Sequence, residues 1–160
     1  MLRVLGIGSP FGDDRLGWEV IDLLQQNASI NRYIPHYLQL VSSDRPGLHL
    51  LELMRGATTV FLVDAVNVGA AVGTLHYFVQ EEIEVLDDAL STHAIGIAEA
   101  IRMGAVLNDL PPNISLYGLE IGEVQIQPRL SGPIRQAIDV LSERLVRDIL
   151  LLLSRHTLSG

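Results

Sequence analysis

The chain has 160 residues, 11 basic against 19 acidic side chains, a net charge of −8 and 48% hydrophobic residues. That length suits a single domain, 1–160, burying roughly 68–70% of its unfolded surface, and the acidic balance argues against a nucleic-acid binder, which would show clustered positive charge. There is no cysteine and no lysine, so thiol nucleophiles, disulfides, cysteine metal sites, P-loop lysines and Schiff bases are excluded.

Leu2–Ile7 is a short apolar run ending in glycines and predicts a buried strand. Arg15–Asn27 carries Leu16, Val20, Ile21 and Leu24 on one stripe, an amphipathic helix. Tyr37–Val41 predicts a second strand, Gly47–Met54 a short helix, and the β-branched run Thr58–Val63 a third strand ending at Asp64. Asn67–Gly73 reads as a loop, Thr74–Val79 as a strand, and Gln80–Leu90 as acidic and irregular. Thr92 is placed to cap a helix over His93–Met103, with Gly104 as its stop. Ile114–Leu119 predicts the last strand and Ile121–Leu130 a loop. Pro133 falls in the first turn of a long final helix whose stripe is Ile134, Ile138, Leu141, Leu145, Ile149 and Leu152, with fraying after Ser154.

Strands alternate with helices and are apolar on both faces. The expected architecture is a three-layer α/β fold: a mostly parallel twisted sheet of about five strands with helices on both faces. The loop between Thr58–Val63 and Thr74–Val79 holds no helix, so one antiparallel strand is expected. No leader pattern is visible, and Ile149–Leu153 is far shorter than the roughly 18 apolar residues of a membrane span. The expectation is a soluble cytoplasmic monomer with no membrane or nucleic-acid partner.

Ligands of open α/β sheets bind beyond the carboxyl ends of the strands. That rule selects the loop Gly8-Ser9-Pro10-Phe11-Gly12-Asp13-Asp14, then Asp64, Glu120, Glu123 and His93. Gly6, Gly8 and Gly12 are one residue out of step with a dinucleotide fingerprint, and Asp13 and Asp14 would repel a phosphate at the helix start. Each candidate alone has an ordinary explanation: a helix cap for Asp13 or Asp14, a solvated strand end for Asp64, a first-turn residue for His93. Together, Asp14, Asp64 and His93 suit a borderline divalent metal with open positions, or a water poised for hydrolysis. Ser9 lacks the G-x-S-x-G elbow of a serine hydrolase. His76 reads as packed in a strand and His49 as a solvated partner of Glu52.

Four segments in order carry a resemblance. Gly6-Ile7-Gly8-Ser9 followed by Asp13-Asp14-Arg15-Leu16-Gly17 resembles the G-x-G-N and D-[DE]-x-x-G opening of the [NiFe]-hydrogenase maturation proteases. Val63-Asp64-Ala65 resembles their V-D-A, Ser91-Thr92-His93-Ala94-Ile95-Gly96 their S-x-H-x-x-G, and Gly118–Glu123, loosely, their G-I-x-P-E. The resemblance covers roughly residues 2–150. It implies a compact α/β fold and an endopeptidase that removes a C-terminal extension from the nickel-loaded hydrogenase large-subunit precursor. It also implies metal-binding roles for Asp14, Asp64 and His93, with nickel supplied by the precursor as recognition signal and no organic cofactor. The class would be an aspartyl-type endopeptidase, with Asp14, Asp64 and His93 in the catalytic centre.

The chain departs from the family pattern in places. Ser9 stands where Asn is usual, and Ile121 where Pro is common, with Glu123 one residue late. Ser42-Ser43-Asp44-Arg45-Pro46-Gly47 replaces an Asp-Gly-Gly-Thr-like loop expected near the scissile peptide, with Asp44 as the candidate replacement carboxylate. The alternatives are a non-proteolytic nickel-binding maturation chaperone of the same fold and a nucleotide-dependent α/β enzyme.

Overall fold

The computed structural model describes residues 1–86, 96–123 and 129–157. Its strands β1 (Leu2–Gly8), β2 (Leu38–Asp44), β3 (Thr59–Val66), β4 (Leu75–Val79) and β5 (Asn113–Glu120) form one sheet in the order β2-β1-β3-β5-β4. β1, β2, β3 and β5 run parallel, and β4 is the antiparallel edge strand. The short β3–β4 connection explains that reversal, because a parallel return needs a crossover of a dozen or more residues.

The period-two alternation of the strands builds two cores. Leu2 and Val4 of β1 and Phe61, Val63 and Ala65 of β3 pack with helices α1 (Leu16–Gln25), α2 (Ala28–Asn31) and α6 (Gly132–Thr157). Leu5, Ile7, Val60 and Leu62 point the other way. They pack with α3 (Leu50–Met54), α4 (Gln80–Glu84) and α5 (Ile97–Val106). Each fully buried Leu or Ile contributes on the order of 1.5–3 kcal/mol.

Several elements differ from the sequence expectation. β3 continues three residues past Val63, because Asp64, Ala65 and Val66 stay paired with Gly118, Leu119 and Glu120. Gln80–Glu84 is helical: the Glu82 carboxylate accepts the Val79 amide at 3.1 Å and Ile83 is fully buried. Gly104 does not stop α5; it lies inside the helix, where a Cβ would meet Leu51 and Leu110. The turn comes at Asn108, with φ +52°, and the Asp109 amide closes back on the Gly104 carbonyl at 2.9 Å. Helix α5 begins at Ile97 rather than His93, because Gly96 is extended and stands as its N-cap, and Thr92 lies outside the described residues. Helix α6 runs to Thr157, past the expected fraying point, and its buried stripe ends on Leu153 rather than Leu152, four residues after Ile149.

Candidate active site

The loop after β1 is drawn back against the sheet by glycines. A Cβ on Gly6 would collide with the Gly17 carbonyl, and one on Gly17 with the backbone of Ile7, so α1 packs on β1 backbone to backbone. Gly12, at φ +53°, begins a single turn of 3-10 helix over Gly12–Arg15. This turn packs on both β1 and β3.

Asp14 is thereby buried to 3% exposure. Its Oδ2 accepts the Ser9 hydroxyl at 2.5 Å, and its carbonyl accepts the Ser9 amide at 3.1 Å. The Ser9 proton is therefore committed to a carboxylate, which disfavours Ser9 as a nucleophile. Neither member of the acidic pair caps α1, whose start has no side-chain cap. Asp13 instead accepts the amide and hydroxyl of Ser131, at 2.7 and 2.9 Å, and so ties the residue before α6 to the β1 loop.

Asp64 is 2% exposed and lies within β3 rather than just beyond it. It occupies the register position after Val63, which pairs with Gly6, so it neighbours β1 at the edge where Asp14 folds back. On its other side stands Gly118, which has no side chain to crowd it. Asp64 Oδ1 accepts the Ala65 amide at 2.8 Å. The alternation along β3 puts Asp64 on the same sheet face as Val60 and Leu62, the face that α5 covers.

His93 lies outside the described residues. Among the described residues no group of three or more His, Cys, Asp or Glu could hold a metal ion. The donor set of Asp14 and Asp64 is two hard oxygens, which suits a divalent cation needing further ligands.

Asp44 ends β2 opposite Gly8 and is about half exposed. It pairs with the Arg45 Nε at 2.7 Å. The Arg45 guanidinium also lies over the Phe11 ring, 5.8 Å from its centroid. The hydrogen bond and charge of Asp44, with a weaker pull from Asp14, hold Arg45 above its ordinary range. Asp44 and Arg45 thus form the exposed rim beside the buried carboxylates.

The two remaining acids of this edge separate. Glu123 is exposed, whereas Glu120 is completely buried. The Glu120 carboxylate accepts the Val68 amide at 3.0 and 2.9 Å and the Ala70 amide at 2.5 Å. It anchors the loop that follows Asp64. The roles of Ser9, Asp13 and Glu120 depend on partners as many as 118 positions away, and no local spacing announces them. His76 is half-buried and stacks on Phe78 at 5.9 Å, and His49 pairs with Glu52 at 3.0 Å on the surface, both as expected.

The doubly wound sheet that carries these two buried carboxylates at its carboxyl edge is a fold shared by known proteins. Residues 19–148 match the family described as hydrogenase maturation protease. The matched span includes Asp44, Asp64 and His93 and starts just after Asp14. The chain is 26% identical to the hydrogenase expression/formation protein HupD of Thiocapsa roseopersicina, across 89% of this chain and 68% of that protein. It is 25% identical to HoxM of Azotobacter vinelandii, across 89% and 73%. Its fold superposes on the hydrogenase maturating endopeptidase HybD from E. coli with a TM-score of 0.76 at 22% identity, covering 97% and 93% of the two chains. For the [NiFe] hydrogenase maturation protease HycI from Thermococcus kodakarensis the TM-score is 0.69 at 20% identity, covering 93% and 91%. The chain belongs to the hydrogenase maturation protease family and is a peptidase. Among the described residues no helix is long and apolar enough to cross a membrane.

Proposed function

We propose that this peptidase removes the C-terminal extension of a [NiFe]-hydrogenase large-subunit precursor after nickel has been inserted. In this reading Asp14, Asp64 and His93 hold the precursor's nickel, which is part of the substrate and acts as the recognition signal. The observation that carries it is the burial of two carboxylates at the carboxyl edge of the sheet, Asp14 in the turn that follows β1 and Asp64 in the neighbouring strand β3. Taking two carboxylates out of water is costly, and the cost is offset when a cation arrives with its own remaining ligands. Bound there, the nickel supplies positive charge beside the bond to be cut.

The residues of the chain do the rest. Ser9 donates to Asp14 Oδ2 and the Ala65 amide to Asp64 Oδ1, so each carboxylate is oriented by a fixed donor. In this reading Asp44, on the exposed rim, accepts a proton from the attacking water, and its pairing with Arg45 supports a fixed orientation for that carboxylate. His93 precedes in sequence the helix α5 that covers the Asp64 face.

The test is incubation with purified precursor, with and without nickel, read by intact mass. The expected result is loss of the C-terminal extension from the nickel-loaded form alone. Equal cleavage of nickel-free precursor would remove nickel from the recognition step. Nickel-dependent binding without cleavage would leave the chaperone reading.

A further inference from the structure

β2 is an open edge, and its backbone shows which groups face outward. The Leu2 amide donates to the Tyr37 carbonyl at 3.0 Å, and the Arg45 amide to the Gly8 carbonyl at 3.1 Å. In a parallel ladder alternate residues turn toward the neighbour, so Tyr37, Gln39, Val41, Ser43 and Arg45 face β1. Leu38, Leu40, Ser42 and Asp44 then turn outward. Leu38 confirms this phase, because its amide is taken by the Tyr33 carbonyl at 3.0 Å, outside the sheet. Beyond it, among the described residues, no sheet neighbour takes the outward amides and carbonyls of Leu40, Ser42 and Asp44.

Natural sheet edges are blunted by charge, proline or bulges. β2 has none of these between Leu38 and Ser43, and it pairs with β1 in unbroken register from Leu2↔Leu38 to Gly8↔Asp44. The other edge strand, β4, is shorter, and its outward Val79 amide is already taken by Glu82 at 3.1 Å. The open stretch Leu40–Asp44 is about 13 Å long at a strand's rise per residue. It ends at Asp44, which pairs with Gly8, the residue before the Ser9 that holds the buried Asp14.

We infer that β2 docks the substrate: an extended peptide tail adds to its free edge as a sixth strand, pairing with Leu40, Ser42 and Asp44. The occupant is the precursor's C-terminal segment, so this inference rests on the proposed function and specifies how that substrate is held. Main-chain pairing grips a tail of any sequence and lays its backbone along a rail that ends beside Asp44. The neutral surface of Leu40, Val41, Ser42 and Ser43 neither selects nor repels charge along that rail.

Amide-resolved hydrogen exchange on the wild-type protein, mixed with excess nickel-loaded precursor, tests this without a mutation. The Leu40, Ser42 and Asp44 amides should exchange about tenfold or more slowly while intact precursor remains, and return to the free rate once the tail is cut. Kinetics of Ser42→Pro supply the second reading. Proline removes an outward donor and spares the ladder to β1, so KM should rise about tenfold with kcat unchanged. Processing at the normal rate with the three amides still exchanging freely would overturn the inference and leave the proposed function standing. Protection that appears in the free protein and grows with its concentration would assign the edge to a second copy of the chain and overturn it likewise. If the wild-type protein leaves nickel-loaded precursor uncut, the proposed function falls and the docking inference falls with it.

Discussion

The two ends of the sheet handle charge in opposite ways. At the amino-terminal end, Arg55 donates through Nη2 and Nε to Asp109 Oδ2 in water, at 2.7 and 3.1 Å, and Arg3 donates to the carbonyls of Leu53 and Arg55 at 2.7 Å. At the carboxyl end, Asp14, Asp64 and Glu120 are buried, held by the Ser9 hydroxyl and by backbone amides. Exposed ion pairs contribute little to stability and are easily exchanged. Buried carboxylates are costly and persist where they do something else. Glu120 shows that this something need not be chemistry: its carboxylate accepts the Val68 and Ala70 amides of the loop after β3.

The largest contrast between the two ends should appear in activity. Asp64→Asn or Asp14→Asn keeps shape and removes charge. Processing of nickel-loaded precursor should fall about 100-fold or more, the upper end of what losing even a hydrogen-bonded partner of a metal ligand costs. The urea midpoint should stay or rise, because a buried charge has been removed. A clear loss of stability with activity retained would make these carboxylates structural. Asp44→Ala separates roles within the same edge. Cleavage should stop while nickel-dependent binding of the precursor survives, as pull-down of uncut precursor would show; normal cleavage would reduce Asp44 to a turn residue.

Glu120→Ala should act mainly on stability. It leaves the Val68 and Ala70 amides without their acceptor, at a cost of about 1–3 kcal/mol, measurable by urea unfolding. Processing should slow several-fold as the loop beside Asp64 loosens. Asp13→Ala removes the anchor of Ser131 and should cost about 1 kcal/mol, the usual loss of a helix-start partner. Its mark should be faster hydrogen exchange in the first turn of α6. The smallest effect belongs to the amino-terminal end. Arg55 holds the Asp109 carboxyl below its usual 3.8, by hydrogen bond and charge. That depressed value contributes stability above pH 4 and loses it as pH falls through the folded-state value. Asp109→Asn should therefore lower the unfolding midpoint slightly at pH 7, and the difference from wild type should vanish in acid.

The pattern of the chain determined the layers. Apolar runs such as Thr59–Val66 had to be buried on both faces, and the stripe from Ile134 had to lie on a sheet, because period and composition leave no other way to hide them. The carboxyl edge was legible for the same reason: Gly6, Gly8 and Asp64 each sit at the end of an apolar run. Tertiary structure decided what each acid does. Asp13 and Asp14 are adjacent in sequence, yet one binds Ser131 and the other Ser9, a choice made by which residues the packing of α6 and α1 brings within reach. The extension of β3 through Asp64, the helical turn at Gln80–Glu84 and the enclosure of Gly104 within α5 were settled in the same way. Local propensity at those positions is weak, and pairing with β5, burial of Ile83 and the close approach of Leu51 and Leu110 outweigh it.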